Sequence, residues 1–443
     1  VTYSTSSSMT SPTTVTTSNT SKLVTGLTAN TTYYFQVRAV NGTTWYGVYS
    51  TSVTGVTPAT GTTLTVAATG GTQDTTWKIL DGVIYPMGSG IINAADLQGL
   101  LQNGSVTLAA DTVTINSDVT WNTSQTLTFG YATTNTVNIN ADLTASGTSG
   151  GLVIAPATYS LDTKNNAQII LSGSSTTLSI GGISYTLIRS IAGLSSVTTT
   201  GSYALSKPLT FGTTALTSAP MNVDFTGTFD GLGNTFDGLT MTGQSGANSG
   251  LFNGLSSGSF VRNLGITNVR ITIPGSATNY VMVGVLAGWV PSGQSGTATV
   301  NKVWTTGFVN GTAGSLPTVG VGGLVAWARS GTLSISQSWS SVNIDTSAMS
   351  PSNMTVGGLV GTNAVVYGSL GGGGNVSISE SYTSGNLKFG TVGWRGNGGI
   401  MGLSYATGTT TTVTDSFSYG TLTTADTGNL GGIVGGYSQG TTT

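Results

Sequence analysis

The sequence predicts an all-β protein, most of it a solenoid in which short strands stack repeat upon repeat. Three observations carry this. Apolar residues alternate with Thr, Ser and Asn in runs of about four, the period of a half-buried strand, and Gly, Asn, Asp and Ser fill the gaps. A Gly-aliphatic motif returns at intervals of 33 to 41 residues through the second half. Charged residues make up only 6% of the 443 residues, against about 25% in ordinary soluble domains. Hydrophobic residues reach 37%, enough for the short runs to form a core, which low-complexity linkers lack.

The same composition excludes much chemistry. With no Cys and no His, there is no disulfide framework, no thiolate- or imidazole-ligated metal and no imidazole-based nucleophilic triad. The net charge is −2 and the 12 Lys and Arg are scattered, so no basic patch for nucleic acid or anionic lipid is expected. No apolar run is long enough to span a membrane as a helix. No secretory leader is visible in the opening VTYSTSSSMT, and the chain reads as a piece of a longer exported protein.

Residues 1–58 read as successive strands, at Val1–Thr5, Thr13–Thr17, Ser21–Val24, Thr31–Val40 and Val48–Val56, closed by Pro58. A turn at Thr28-Ala29-Asn30 leads into the long strand, with Tyr33, Phe35, Val37 and Ala39 on one face. The stretch from Leu27 to Asn41 resembles the corner into strand F of a fibronectin type III domain. The resemblance implies a partial sandwich whose first two strands are absent or come from another chain.

Residues 59–184 read as strands of about four residues, at Leu64–Ala67, Ser105–Ala109, Thr112–Asn116, Asp118–Trp121, Thr126–Phe129, Thr136–Asn140 and Gly151–Ile154. Asn116, Asn138 and Asn140 are expected to stack as polar ladders. One short helix is expected over Ile92–Leu101, with Asn93 as its N-cap. The stretch from Ile92 to Gly130 resembles the filamentous-haemagglutinin-like exoproteins, which implies a right-handed parallel β-helix.

Residues 185–443 carry the repeat. Its aliphatic markers are Leu251, Leu286, Leu324, Leu359, Ile400 and Ile433, each next to Gly. A second motif lies between them: Val300-Asn-Lys-Val-Trp304, Ile335-Ser-Gln-Ser-Trp339, Ile378-Ser-Glu-Ser-Tyr382 and Val413-Thr-Asp-Ser-Phe417. Gly357 to Gly361 reads GGLVG, and with the entry segment Asp224–Met241 and the strands at Tyr185 and Tyr203 it resembles the GLUG repeats of bacterial surface proteins. The full expectation is thus an all-β chain: a partial fibronectin type III sandwich, then a long right-handed parallel β-helix.

Candidate chemistry is sparse. Glycoside hydrolysis needs two carboxyl groups facing one bond. Asp224, Asp230 and Asp237 are the only close acidic group, and Asp230 and Asp237 each precede Gly, which suits Asx turns better than calcium or catalysis. Glu380, the only glutamate, sits at the variable position of the second motif with Lys302, Gln337 and Asp415, a surface position. Arg262 and Arg329 read as isolated basic spots, and Gly371–Gly374 as a loop without the Lys of a phosphate cradle. The sequons, such as Asn103 and Asn310, are frequent enough to arise by chance.

Aromatic residues remain. Trp304, Trp339, Tyr382 and Phe417 share one repeat position and are expected to form an inward or groove-lining ladder; the rival reading is a sugar-stacking platform. The residues proposed for ligand or subunit contact are Trp45, Tyr46, Trp289, Trp327 and Trp394. The expected role is a non-enzymatic extracellular protein of a bacterial cell surface, a subunit of a self-assembling fibre or sheath. No cofactor or metal is expected; the partners are further copies of the chain and, less directly, glycans or matrix. The rivals are a monomeric adhesin stalk binding glycans or proteins, and a polysaccharide-binding or polysaccharide-cleaving β-helix.

Overall fold

Most strands of the first parallel stack bury alternate residues. In Thr63–Ala67, Leu64 and Val66 are fully buried while Thr63 and Thr65 are half-exposed. The computed structural model describes residues 1–443 except 19–21, 23, 25–26, 29–30, 43–44, 57–60, 364–372, 391–393, 406–407, 425–429, 438–440 and 443. Part of the expected strand Ser21–Val24, of the turn at Thr28–Asn30 and of the Gly371–Gly374 loop lies outside the described residues.

The chain is all-β with long parallel sheets, an arrangement compatible with a solenoid. The one α-helix among the described residues, Ala94–Asn103, starts two residues later than expected but is capped as expected, Asn93 Oδ1 accepting the Ala95 N–H at 2.8 Å. Among the described residues no helix is long and apolar enough to cross a membrane.

From Thr63 to Ser184 the strands form three sheets, dominated by parallel pairs in exact residue-for-residue register. Val66, Ile115, Ile139 and Leu161 stack one above the next, all fully buried. Neighbouring strands lie about 4.8 Å apart, so each side chain packs on its own equivalent. A one-residue slip would turn this whole column to solvent. Asn140 Nδ2 donates to Asn116 Oδ1 at 2.8 Å, forming the expected ladder. Asn138 points to the same outward face as Asn140 but lies in register with Thr114 and Ser160, so it has no asparagine above or below to extend the ladder.

The first three sheets end near Ser184, and hydrogen bonds rather than paired strands join them to the second half. Ile169 N–H donates to Leu232 O and Leu171 N–H to Ser206 O, while the buried Asn234 amide donates to Ile169 O and Leu205 O. Beyond the first three sheets a 17-stranded sheet runs to Thr442, with a seven- and a six-stranded parallel sheet beside it. The Gly-aliphatic markers stand at the corner between the last two. Leu286 N–H donates to Leu324 O, Leu324 N–H to Leu359 O and Leu359 N–H to Ile400 O, all at 2.9 Å. Leu251 through Ile400 are fully buried at this corner; Ile433 is half-exposed.

Close approach, rather than a left-handed backbone, explains the glycine that precedes each corner. A Cβ at Gly322 would overlap the Val325 carbonyl oxygen, and one at Gly357 the Val360 oxygen. The corner is tied to the long sheet by hydroxyls: Thr305 Oγ1 donates to Gly323 O at 3.0 Å and Thr383 Oγ1 to Gly399 O at 2.8 Å.

The N-terminal residues form a separate antiparallel sheet, ordered Thr13–Thr14, Thr2–Ser4, Thr32–Gln36, Val53–Val56. Tyr3, Tyr33 and Phe35 pack with ring centroids 5.9–6.3 Å apart. The expected strand to Val40 stops at Gln36. Val37 and Ala39 instead accept hydrogen bonds from Ser50 and Gly47, drawing the chain into a second hairpin that pairs Val40–Asn41 with Trp45–Tyr46. Val37 and Ala39 therefore face solvent rather than continuing the face begun by Tyr33.

Candidate functional site

The second motif of each repeat contains a residue in the left-handed region. Lys302, Gln337, Glu380 and Asp415 have φ of 53, 50, 48 and 48°. Glycine is the residue that adopts this conformation most cheaply, so four polar side chains here are held against a local cost of about 1 kcal/mol or more each. The bend shifts the strand's phase by one residue. Ile335 points inward, Gln337 is exposed, and Ser338 and Ser340 then point inward with Trp339 between them half-exposed.

The inward serines hold the bend. Ser338 Oγ donates to Ser336 O at 2.8 Å and accepts the Val303 N–H of the repeat before at 3.1 Å. Ser381 does the same, with Ser379 O at 2.7 Å and the Ser338 N–H at 3.1 Å, and Ser416 follows with Thr414 O and the Ser381 N–H. This ladder satisfies backbone groups that the bend removes from the regular sheet.

The same phase shift turns the aromatic ladder outward. Trp304, Trp339, Tyr382 and Phe417 occupy equivalent positions on the long sheet. Trp339 and Tyr382 stack at 5.7 Å with planes 7° apart, and Tyr382 and Phe417 at 5.2 Å and 4°. These ring faces are covered by one another, leaving edges to solvent; Phe417 is 52% exposed. The ladder lines a groove rather than a core. As a platform for sugars laid flat on ring faces, the stacked part is closed.

The groove has a volume of about 820 Å³ and a second wall from far away in sequence. Asn140, Ser160, Asp162, Thr163, Lys164 and Asn166 stand opposite Lys302, Gln337, Glu380, Asp415 and the aromatic edges. Lys302 Nζ spans the groove's inner end, donating to Leu161 O at 2.8 Å. Burial pulls its ammonium pKa below the usual lysine range, with Asp162 nearby acting in the opposite direction. Gln337 Nε2 donates to Glu380 Oε2 at 2.9 Å along the floor.

The opposite wall is fixed by a buried network. Arg262 Nε donates to Asp230 Oδ2 at 2.7 Å, Tyr159 OH donates to the same oxygen at 3.0 Å, and Asn263 Nδ2 donates to Asp230 Oδ1 at 3.1 Å. The Arg262 guanidinium also lies over the Tyr159 ring, 4.9 Å from its centroid. Burial pushes the Tyr159 hydroxyl well above the usual tyrosine range, and the Asp230 charge adds to this. Arg262 is thus a paired cation, not the isolated basic spot its sequence context suggests. Asp230 also makes the expected Asx turn, accepting the Leu232 N–H at 3.0 Å. Asp237 serves the next repeat instead, accepting from Thr267 Oγ1 and Asn268 Nδ2.

The five residues proposed for contact fall into two places. Trp45 is 74% exposed and Tyr46 49%, on the N-terminal hairpin, with the Arg38 guanidinium 4.1 Å from the Tyr46 ring centroid. Trp289 and Trp327 are in-register neighbours whose rings are tilted 42° to one another, with centroids 6.3 Å apart. Trp327 is buried with Met282 and Ala326, and Trp289 is half-buried, its Nε1 donating to Asp224 Oδ1 at 3.0 Å. Arg329 covers both rings, at 5.8 and 5.1 Å. The Trp394 side chain lies outside the described residues. None of the four whose side chains are described lines the groove. Among the described residues no three Asp or Glu gather in a way that would hold a metal ion.

No family model matches the chain, and comparison with curated proteins and with solved structures finds no match to either.

Proposed function

We propose that the chain is a non-enzymatic extracellular structural protein, the rod-forming part of a bacterial surface fibre or sheath. In this reading the parallel sheets are the walls of a right-handed β-helix with GLUG-type repeats, and the N-terminal sheet is a partial fibronectin type III domain. The observation that carries it is the uninterrupted corner ladder Leu251–Leu286–Leu324–Leu359–Ile400, each backbone N–H bonded to the next repeat. Stacking of this kind makes a stiff element whose stability is a sum of nearest-neighbour contacts.

Two features support association between copies. Charge is too sparse to hold like surfaces apart. The N-terminal residues leave six large apolar side chains exposed, Val37, Val40, Trp45, Tyr46, Val48 and Val53, which contact with another copy would cover. Electron microscopy of the protein in its native surface material tests the reading. Filaments or tubes with a regular axial repeat are expected. Dispersed single rods would overturn it in favour of a monomeric adhesin stalk.

A further inference from the structure

We propose that the groove between the Asn140–Asn166 wall and the Trp304–Phe417 ladder is a binding site for an uncharged, linear glycan lying along the stacking axis. This is independent of self-assembly, since a fibre subunit and a solitary rod would carry the same groove.

The volume, about 820 Å³, lies within the range of sites that enclose small organic ligands, and the shape is an open trough between two walls. Its polar groups recur with the repeat. Lys302, Gln337, Glu380 and Asp415 present one hydrogen-bonding side chain per repeat, about 4.8 Å apart, matching a ligand that is itself a repeating chain. All four are held in a left-handed conformation that glycine would adopt with less strain, so a need for side chains at these positions is the simpler account of their presence.

Charge selects among ligands. The lining has two lysines, Lys164 and Lys302, and three carboxylates, Asp162, Glu380 and Asp415, interspersed along both walls. A polyanion or polycation would meet its own sign at several points, whereas hydroxyl groups find donors and acceptors throughout. The edges of Trp339, Tyr382 and Phe417 supply an apolar flank for the C–H surface of a sugar. A peptide added as a β-strand is disfavoured. The strand at the groove's edge, Ser160–Leu161, is two residues long and its Leu161 carbonyl already accepts from Lys302.

The test is titration of the purified chain with hexasaccharides of β-1,4-linked glucose, N-acetylglucosamine, xylose and mannose, read by calorimetry and tryptophan fluorescence. Heparin and an unrelated extended peptide serve as comparison ligands. At least one neutral hexasaccharide is expected to bind with Kd on the order of 1 mM or tighter. Gln337→Ala and Lys164→Ala should each weaken it about tenfold without lowering Tm, because both side chains project from the surface. Asp74→Asn, remote from the groove, should leave it unchanged. Failure of all four sugars to bind overturns the proposal. So does binding that ignores the groove variants, or groove-dependent binding of heparin or the peptide alone.

Discussion

Arg262 Nε and Asp230 Oδ2 are 2.7 Å apart in a pair whose side chains are 6% and 0% exposed. Burial alone would lower the arginine's affinity for its proton; the Asp230 charge outweighs this and raises it. Such a pair adds little or no net stability over apolar residues of the same shape, but breaking it leaves a buried charge unmatched. Arg262→Met is therefore expected to destabilise by about 3–5 kcal/mol in chemical denaturation. Tyr159→Phe, which removes one hydrogen bond to Asp230 and spares the ion pair, should cost only about 1–3 kcal/mol. Equal losses in the two variants would show that the ion pair is not the dominant part of the network.

The serine ladder makes a second prediction. Ser381 is 1% exposed and uses its hydroxyl twice, donating to Ser379 O and accepting from Ser338 N–H. Ser381→Ala would strand the buried Ser338 N–H, while Ser379 O would keep the Gln337 N–H, at a cost of about 1–3 kcal/mol. Thermal unfolding and amide exchange at Ser338 check it: exchange at that amide should quicken by more than at the corner amide of Leu324. Unchanged protection at Ser338 would mean the ladder does not hold the bend.

How much of this was legible depended on how far each interaction reaches along the chain. The corners could be read directly, because in Gly357-Gly-Leu-Val360 the glycines leave Leu359 as the side chain to bury. The Asn93 cap was equally local. The outward turn of Trp339 was hidden by a single left-handed residue, Gln337, which breaks the alternation that an unbent strand would keep. The clue was present in Ser338 and Ser340, small hydroxyl residues flanking the tryptophan where an inward aromatic would have had polar neighbours facing out. The groove itself had no local signature. Lys302 and Leu161 are 141 residues apart in sequence, and only the stacking order brings them together.

Glycine at the corner should be more demanding than glycine elsewhere. Gly322→Ala places a methyl group on the Val325 carbonyl oxygen, and both backbones are held by ladder bonds above and below. Relief requires a backbone shift, expected to cost about 1–3 kcal/mol or more. Gly104→Ala is the comparison: its backbone is extended, and a Cβ there meets nothing within 4 Å. It should fall within about ±0.5 kcal/mol of the parent. A Gly322→Ala protein as stable as Gly104→Ala would refute the close-approach account of the motif.

Acid should loosen the start of the first parallel stack through Asp111. Burial there favours the protonated carboxyl, but hydrogen bonds from Tyr131 OH at 2.7 Å, Thr62 N–H at 3.0 Å, Gly61 N–H and the Thr62 hydroxyl outweigh it and lower the pKa. A carboxyl whose folded pKa lies below its unfolded value stabilises the fold fully only above the unfolded value, about 4, and loses that contribution as pH falls through the folded one. Asp111→Asn removes this titration while keeping a side-chain oxygen to accept from Thr62. The variant's Tm should therefore sit below the parent's at neutral pH, and the gap should narrow as pH falls below about 4. A gap that stays constant across that window would show that the Asp111 charge contributes nothing to the clamp on residues 61 and 62.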